Sequence, residues 1–327
     1  MIKPIIFSGI QPSGNLHVGN YLGAVKNWVD LQNSGQYDCF FCIVDYHSLS
    51  GNMTAEERRE NTTTLAAELL ALGIDPNKST LFIQSAVPEC AELAWIFNTI
   101  TPVVELERMT QFKDKSKQQA KNINAGLFTY PVLQAADILL YHGQFVPVGQ
   151  DQAQHIELTR NIARWFNKRY TEYFPEPKPL LTAAPKVMSI LEPDKKMSKS
   201  LGEGQVLDLV DEPKVIEKKL KKAVTATVGG KKSPGVENLL LLLKHFGEAQ
   251  TYQQFMAAEK VGKIQYGELK ETLADSLARY FVEFRARRAE LLSDQDVLAA
   301  QLAAGAKKAR ALAEKTMRQT RRLVGIG

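Results

Sequence analysis

Cysteine is scarce in this sequence, with three cysteines among 327 residues. Cys39 and Cys42 have Cys-x-x-Cys spacing but stand inside an apolar segment, and Cys90 stands apart from them. A structural zinc site needs four ligands, usually as two close pairs, and small disulfide-stabilised proteins carry more cysteines. We therefore expect buried free thiols in a protein of the reducing cytoplasm.

Long apolar segments are also lacking. The longest aliphatic run is the five leucines at residues 239–243, whereas a membrane-spanning helix needs about 20 apolar residues. The N-terminus has one lysine and a short apolar run at residues 5–7, without the longer apolar region of a signal peptide. The sequence thus predicts a cytoplasmic protein with no membrane partner.

Charge is distributed unevenly. The net charge is +5, yet residues 1–100 carry 5 basic and 10 acidic side chains, whereas residues 101–327 carry 36 and 26. The last 27 residues carry 7 basic side chains and 1 acidic one. Such a basic region fits a polyanionic partner such as a nucleic acid. A solvated basic helix explains the same charges, so charge alone leaves both interpretations open.

The first 85 residues alternate between short apolar and longer amphipathic segments. Strands are predicted at residues 5–7, 39–44 and 79–84, and the segment 39–44 is apolar on both faces, as in a covered parallel sheet. Helices are predicted between them, and Thr54 with Glu57 forms a capping box at the start of the second helix. This order is typical of an α/β fold with a Rossmann-like parallel sheet.

Further elements follow in the middle of the chain. Helices are predicted at residues 128–141, with Pro131 in the first turn, and at residues 151–166. A strand is predicted between them at 145–148, and another at 186–190, after a proline-rich stretch.

The pattern beyond residue 207 is helical and lysine-rich, with a Gly/Lys/Pro loop at residues 228–235. We therefore predict an α/β domain over residues 1–192 and an all-helical domain over residues 193–327. The last, alanine-rich helix, within residues 294–327, could pack back on the first domain.

The first strand leads into a turn that carries polar residues and glycine. Residues 12–20 read Pro-Ser-Gly-Asn-Leu-His-Val-Gly-Asn, just before a predicted helix. A helix N-terminus after a parallel strand favours anions, and His17 and Asn20 can donate hydrogen bonds to phosphate oxygens. Gly19 would let a ligand approach the backbone. An ordinary turn with a surface histidine is the alternative.

A second polar motif is Lys-Met-Ser-Lys-Ser at residues 196–200. Two lysines three residues apart, with two hydroxyls, can hold phosphates, although a charged loop is more often simply solvated. The presence of the His17 motif in the same chain favours phosphate binding.

Asp137 stands among apolar residues of a predicted helix, on one stripe with Tyr130, Gln134 and Tyr141. A carboxylate in such surroundings is costly unless it is paired. It is either an ion-paired structural residue or an acceptor for a ligand. An acceptor-only group suits a ligand that presents a hydrogen-bond donor, and a ligand without one would leave the carboxylate unpaired.

The two motifs resemble the HIGH and KMSKS signatures of class I aminoacyl-tRNA synthetases. Residues 105–113, 130–141 and 146–158 further resemble blocks of the bacterial-type tryptophanyl-tRNA synthetases, in the same order. The resemblance implies a two-step reaction with ATP and Mg²⁺, in which Mg²⁺ arrives with the nucleotide and has no dedicated protein cage. It also implies L-tryptophan and tRNA(Trp) as partners, a homodimer whose tRNA spans both subunits, and tRNA or anticodon binding by the helical domain.

The resemblance also assigns roles to individual residues. The groups that stabilise charge during catalysis would be His17, Asn20, Lys196 and Lys199. ATP would contact Gln11, Pro12, Ser13, Gly19, Asn20, Gly149, Gln150, Asp151, Val187, Lys196, Met197, Ser198, Lys199 and Ser200. Tryptophan would contact Asp137, Tyr130, Gln152, His47 and Phe7.

Other functions remain to be weighed. A tyrosyl-tRNA synthetase shares the fold and both signatures. A small-molecule nucleotidyltransferase of the HxGH type would lack the KMSKS motif and the basic helical region. A non-catalytic RNA-binding or regulatory paralogue is disfavoured by the presence of His17, Asp137, Asp151, Lys196 and Lys199 together.

Overall fold

The computed structural model describes residues 3–110, 123–149, 152–181, 185–225 and 233–327. The chain divides into two compact units, and each is built from separate stretches of sequence. Unit 1 comprises Met1–Gly14, Trp28–Thr182 and Leu291–Gly327, and unit 2 comprises Asn15–Asn27 and Ala183–Glu290.

Unit 1 contains a five-stranded parallel sheet of order β3-β2-β1-β4-β5. This confirms the predicted α/β fold with a parallel sheet. Because all strands run in one direction, their carboxyl ends meet at one edge, where ligands bind in open α/β sheets. The strands are β1 Ile5–Ile10, β2 Asp38–Ile43, β3 Ser79–Ile83, β4 Phe145–Val148 and β5 Lys178–Leu181.

The last strand of the sheet differs from the prediction. Strand β5 lies inside the proline-rich stretch, whereas residues 186–190 form only an isolated antiparallel bridge between Met188 and Lys196. Proline lacks an N–H group and is tolerated in edge strands, and Pro179 stands in the edge strand β5. The prolines therefore argued against a strand in the sequence, although an edge strand can do without some of its backbone N–H donors.

Helices cover the strands of unit 1. The predicted capping box is confirmed, because Thr54 accepts from the Glu57 amide while the Glu57 carboxylate accepts from the Thr54 amide. Helices lie at Asp45–Ser48, Ala55–Ala71, Glu89–Asn98, Val103–Glu107, Ala125–Leu139, Ala153–Arg169 and Gln295–Val324, and the helix Lys26–Ser34 lies mainly in this unit.

The prediction that Pro131 lies in a first helical turn is wrong. The helix begins at Ala125, and Asn124 caps it by accepting from the Leu127 amide at 2.9 Å. Pro131 therefore lies inside the helix, where it removes one main-chain hydrogen bond. The cap four residues ahead of the predicted start sets the beginning of the helix.

The C-terminal helix Gln295–Val324 packs on β3 and on the helix Glu89–Asn98. The contact is close, because a Cβ atom at Gly305 would lie 1.8 Å from the Leu81 carbonyl oxygen. Three of its basic residues form ion pairs with acids of unit 1: Lys308 with Asp38, Arg310 with Glu89 and Arg321 with Glu92. Much of the basic tail is thus engaged in docking this helix within unit 1.

Unit 2 is mainly helical around a cluster of aromatic side chains. Tyr21 packs against Phe246, Tyr280 and Phe281, and the Tyr21 and Tyr280 hydroxyls lie 2.8 Å apart. The helix predicted at 19–31 is interrupted by a π-helical turn, Tyr21–Val25. Further helices lie at Val18–Asn20, Pro213–Lys221, Pro234–Phe246, Ala249–Lys260, Tyr266–Tyr280 and Val282–Ser293, the last of which ends in unit 1.

The predicted loop at residues 228–235 lies largely outside the described residues, and Pro234 and Gly235 begin a helix. None of the helices in the described part of the chain combines the length and apolar character that a bilayer crossing demands. The three cysteines are buried and free, and burial raises the pKa of the Cys39 thiol to about 11.

Candidate active site

Polar side chains gather at the carboxyl edge of the sheet in unit 1. Asp45 follows β2, and its Oδ1 accepts from the Ser85 amide at 2.9 Å, just beyond β3. Gln84 follows β3 directly and is 1% exposed. Asp137, on the helix Ala125–Leu139, is 3% exposed and faces both loops.

Asp137 is held by two side chains. Gln84 Nε2 donates to both carboxylate oxygens, at 2.7 and 2.8 Å, and His47 Nε2 lies 2.9 Å from Oδ2. Three of roughly four acceptor positions on the carboxylate are thereby occupied. Asp137 is therefore a paired carboxylate, as one of the two interpretations of the sequence expected. One acceptor position remains for a ligand donor.

The amide of Gln84 can take only one orientation. Its Oε1 accepts from the Tyr46 amide at 3.0 Å, so its Nε2 must face Asp137. A flipped amide would place donors against the Tyr46 N–H and an acceptor against the carboxylate. Gln84 was not predicted as a site residue, although its position directly after a parallel strand was a signal for it.

A cavity of about 300 Å³ opens beside this cluster. His47 and Tyr130 form part of its lining, together with Leu49 and Ala91. Its size and largely apolar lining with a few polar groups are typical of small-molecule sites.

Tyr130 connects this cluster to the helix Ala153–Arg169. Its hydroxyl lies 2.9 Å from His155 Nε2, and its ring packs edge-on against His47 at 6.4 Å between centroids. Burial raises the pKa of the Tyr130 hydroxyl to about 12, so it remains protonated at neutral pH. Gln152 stands at the N-cap position of this helix, one turn before His155, without a capping bond from its side chain, and its backbone N–H donates to the Gly149 carbonyl at 3.1 Å.

The other predicted residues of unit 1 lie along the sheet and its loops. Phe7 is 3% exposed in β1 and stacks on Tyr141, so the structure places its ring in the core. Gln11, Pro12 and Ser13 follow β1 at the carboxyl edge, where the Ser13 amide donates to the Gln11 carbonyl at 2.9 Å. Gln150 and Asp151 lie outside the described residues.

The His17 motif lies in unit 2 and forms its own helix cap. His17 Nδ1 accepts from the Gly19 and Asn20 amides at 3.1 and 3.3 Å, and Asn20 Oδ1 accepts from the His17 amide at 3.1 Å. Since Nδ1 is an acceptor, the ring proton lies on Nε2. The motif therefore presents an Nε2–H donor and the Asn20 amide group.

Gly19 has a structural role besides the ligand contact expected of it. A Cβ atom there would lie 2.9 Å from Cε1 and Nδ1 of His17 and 3.7 Å from the Met197 Cβ. Glycine is required at position 19 because the His17 imidazole ring lies over it. Gly19 also lies next to Met197 of the second motif.

The two motifs come together in unit 2. Burial, followed by the nearby charges of Lys199 and Lys196, lowers the pKa of His17 from 6.5 to about 4. The imidazole is consequently neutral at physiological pH and serves as a donor without adding positive charge. Lys196 and Lys199 supply the cationic charge.

We expect His17 to titrate near pH 4, which can be followed by NMR of its imidazole in the wild-type protein, with His17→Asn to assign the signal. The unfolded chain binds this proton near pH 6.5 and the native chain near pH 4. His17 therefore lowers the free energy of unfolding as the pH falls through this window, by about 3 kcal/mol. A native midpoint at pH 6 or above would contradict this.

The Lys196–Ser200 motif follows a short hairpin. The Met197 amide donates to the Val187 carbonyl at 3.0 Å, and Met197 and Val187 are both buried. Ser198 caps a short 3₁₀ helix, Lys199–Leu201, and its hydroxyl lies 2.9 Å from that of Ser200.

Asp208 is a further charged group beside the motifs that sequence reasoning missed. Its backbone pairs with His17, and its Oδ2 lies 3.5 Å from Lys219 Nζ. Burial raises the pKa of its carboxyl, although Lys219 and Lys199 oppose this. Among the described residues, no group of three or more His, Cys, Asp or Glu side chains is arranged to hold a metal ion.

Comparison with known proteins shows the family to which the chain belongs. The family described as tRNA synthetases class I (W and Y) matches residues 2–282. The curated tryptophan–tRNA ligase 2 of Streptomyces avermitilis is 46% identical over 336 residues, covering 99% of this chain and 97% of that protein.

Solved structures give the same result. Tryptophanyl-tRNA synthetase from Campylobacter jejuni, complexed with ADP and tryptophan, is 36% identical with a TM-score of 0.86, over 98% of this chain and 100% of that one. The enzyme from Mycoplasma pneumoniae is 32% identical with a TM-score of 0.87, over 100% and 99%. The chain therefore belongs to the tryptophanyl-tRNA synthetases of class I.

Proposed function

We propose that this protein activates L-tryptophan with MgATP to tryptophanyl-adenylate and pyrophosphate, and then transfers the tryptophanyl group to tRNA(Trp) in the cytoplasm. The observation that carries the activation chemistry is the meeting of the two motifs, because a Cβ atom at Gly19 would lie 3.7 Å from the Met197 Cβ. The charges of Lys199 and Lys196 also add to the effect of burial in lowering the His17 pKa. Tryptophan-dependent exchange between ATP and pyrophosphate tests it. The absence of exchange would favour a non-catalytic paralogue.

Recognition of tryptophan rests on Asp137. The indole N–H would donate to the acceptor position that Gln84 and His47 leave on the carboxylate. Tyr130 and Gln152 would contact the α-amino group, with His47 and Tyr130 also bordering the cavity. Phe7 would contribute through Tyr141, because the two rings stack on each other.

The first step needs no general base, because the attacking carboxylate of tryptophan is already ionised. Catalysis then consists of positioning and of stabilising charge on the phosphates. His17 Nε2–H and the Asn20 amide would donate hydrogen bonds, and Lys196 and Lys199 would supply positive charge. Mg²⁺ bound to ATP would neutralise part of the phosphate charge.

The remaining ATP contacts are proposed from the same resemblance. Val187 and Met197 would lie against the adenine with Gly19, and Ser198 and Ser200 would contact the phosphates. The ribose and phosphates would also meet Gln11, Pro12, Ser13, Gly149, Gln150 and Asp151.

We assign tryptophan binding to the sheet-containing part. Residues 193–327, without the C-terminal helix, would supply the catalytic Lys196–Ser200 motif and also bind the tRNA and its anticodon. The helix Pro213–Lys221 supports this, because its last turn carries Lys218, Lys219 and Lys221. Lys219 is paired with Asp211 and Lys221 with Glu217, so the tRNA contact would compete with these pairs.

We also propose a homodimer. Unit 1 exposes several large apolar side chains in neighbouring elements, with Trp95 70% exposed and Val103 61% exposed. Leu49 and Val104 are exposed as well, and Leu49 borders the cavity. Exposed apolar groups of this size mark interaction surfaces, and tryptophan is frequent among residues that dominate binding.

Trp95→Glu is expected to weaken the dimer by about 30-fold or more, because it places a charge in a desolvated contact. Sedimentation velocity across a concentration series measures this. Val282→Glu changes a similarly exposed side chain in unit 2, at 54% exposure, and should leave the dimer intact. An unchanged dimer in Trp95→Glu would exclude this surface.

A further inference from the structure

We propose that Asn238 is a positioning residue that holds the hairpin preceding Lys196 and Lys199 and thereby sets where these lysines meet ATP. The effect on catalysis rests on the proposed function. The contacts that hold the hairpin all lie within unit 2.

Asn238 pairs with a backbone residue as a strand would. Its Oδ1 accepts from the Met188 amide and its Nδ2 donates to the Met188 carbonyl, both at 2.9 Å. Both main-chain groups of Met188 are thus satisfied by one side chain that is 3% exposed. Only a primary amide carries this acceptor and donor side by side.

The position of Asn238 in its helix is otherwise unfavourable. It lies inside the helix Pro234–Phe246, just before five leucines, and asparagine is disfavoured in helix interiors because its side chain competes with the backbone. The pair of bonds to Met188 gives the buried amide its partners. The need to pair with both main-chain groups of Met188 in the hairpin explains why an asparagine stands at position 238.

Met188 is central to the hairpin. On one side of it the Val187 carbonyl accepts from the Met197 amide at 3.0 Å, and on the other the Ser189 amide donates to the Lys195 carbonyl at 2.8 Å. These bonds connect the strand that Asn238 holds directly to the residues flanking Lys196. A shift of Met188 would therefore move Lys196 and Met197 with it.

A second contact from the same helix points to the same role. The Ile190 carbonyl accepts from the Val224 amide at 2.9 Å. Val224 packs so closely on Gly235 that a Cβ atom there would lie 2.0 Å from the Val224 carbonyl oxygen. The helix Pro234–Phe246 thus supports the hairpin at Met188 through Asn238 and at Ile190 through Val224.

The tip of the hairpin is held separately. Ser189 donates to Gln205 Oε1, and Gln205 Nε2 donates to Glu192 Oε1 at 2.8 Å. The Leu191 and Glu192 amides donate to Ser189 Oγ. The hairpin is thus internally ordered, and Asn238 determines its position relative to the helix.

The test compares Asn238→Leu, which keeps the size but removes both hydrogen bonds, with Asn238→Asp, which keeps only the acceptor. A displacement of about 1 Å at a reacting group can lower a rate by about 100-fold. We expect kcat/KM for ATP in pyrophosphate exchange to fall by about 10- to 100-fold in Asn238→Leu and by less in Asn238→Asp. The KM for tryptophan should stay within about twofold, since the two hydrogen bonds of Asn238 go to Met188 in unit 2, whereas Asp137 lies in unit 1.

Leu240→Ala is the matched control. Leu240 lies on the same helix and is 5% exposed, so its truncation should destabilise unit 2. It removes neither of the hydrogen bonds between Asn238 and Met188. It should leave the kinetics for ATP unchanged below the unfolding temperature. A loss of ATP kinetics equal in Leu240→Ala and Asn238→Leu, or an equal loss for tryptophan and ATP, would overturn the proposal.

Hydrogen exchange separates this inference from the proposed function. In Asn238→Leu the Ser189 and Met197 amides should exchange faster than in the wild type, while they keep wild-type protection in Leu240→Ala. If the wild-type protein showed no tryptophan-dependent exchange of pyrophosphate, the proposed function would fail, and amide exchange would still decide the role of Asn238. Unchanged protection in Asn238→Leu would refute it.

Discussion

Asp137→Ala is expected to weaken tryptophan binding by about 30- to 150-fold, as measured by calorimetry, with little effect on ATP binding. The carboxylate is 3% exposed and supplies the acceptor proposed for the indole N–H. A hydrogen bond to a charged group is worth about 1.5–3 kcal/mol. The loss should appear in the dissociation constant for tryptophan and not in the rate of the chemical step, because this contact forms before that step.

Asp137→Ala also leaves Gln84 and His47 without their buried acceptor, so stability will fall. Asp137→Asn keeps the shape and tests recognition with less disturbance. Its single amide oxygen has to serve the donors of Gln84, His47 and the indole, so it should also lose most of the affinity.

Glu68→Gln provides the control for Asp137. Glu68 is a carboxylate of unit 1 with 0% exposure, on the helix Ala55–Ala71 and away from the carboxyl edge. It should change stability without changing tryptophan affinity. Unchanged tryptophan affinity in both Asp137 variants would remove Asp137 from the binding site.

Lys199→Ala is expected to lower the rate of adenylate formation by about 100- to 1000-fold and to leave the affinity for tryptophan within about twofold. Charge on the phosphates increases as pyrophosphate leaves, so a cation placed there binds the transition state more tightly than the ground state. Single-turnover formation of the adenylate measures the rate.

Lys195→Ala is the matched control for Lys199, because Lys195 lies in the same loop and is paired with Glu192. It should leave the rate within about threefold, as expected for an exposed ion pair. An equal loss in rate and in tryptophan affinity in Lys199→Ala would contradict a transition-state role.

The sequence predicted the parallel sheet and the capping box well, because both depend on local pattern. The alternation of apolar and amphipathic segments up to residue 85 predicts β1, β2 and β3 and the helices between them. Thr54 and Glu57 interact across three residues, so their spacing alone identified the cap. Family membership, also predicted from the motifs, is confirmed by the comparisons.

Long-range partners were not visible in the sequence. The Gln84 side chain contacts Asp137, which lies 53 residues later in the sequence. Its position after a strand indicated the carboxyl edge of the sheet, but no local pattern identified its partner. Residues Asn15–Asn27 belong to unit 2 because Leu16 and Val18 pair with Leu209 and Leu207. Such pairing depends on the complete fold.

Two local rules misled the prediction for a physical reason. Proline in the stretch before residue 186 argued against a strand, yet an edge position tolerates Pro179. Pro131 suggested a first helical turn, yet the cap at Asn124 begins the helix earlier.

The most direct test of the proposed function is ATP–pyrophosphate exchange by the wild-type protein with tryptophan, tyrosine or phenylalanine as the only amino acid. We expect exchange with tryptophan and about 100-fold or more lower kcat/KM with phenylalanine, which cannot donate to the acceptor on Asp137. Tyrosine should be rejected to a similar degree. Exchange that prefers tyrosine, or no exchange with any of the three, would contradict the account.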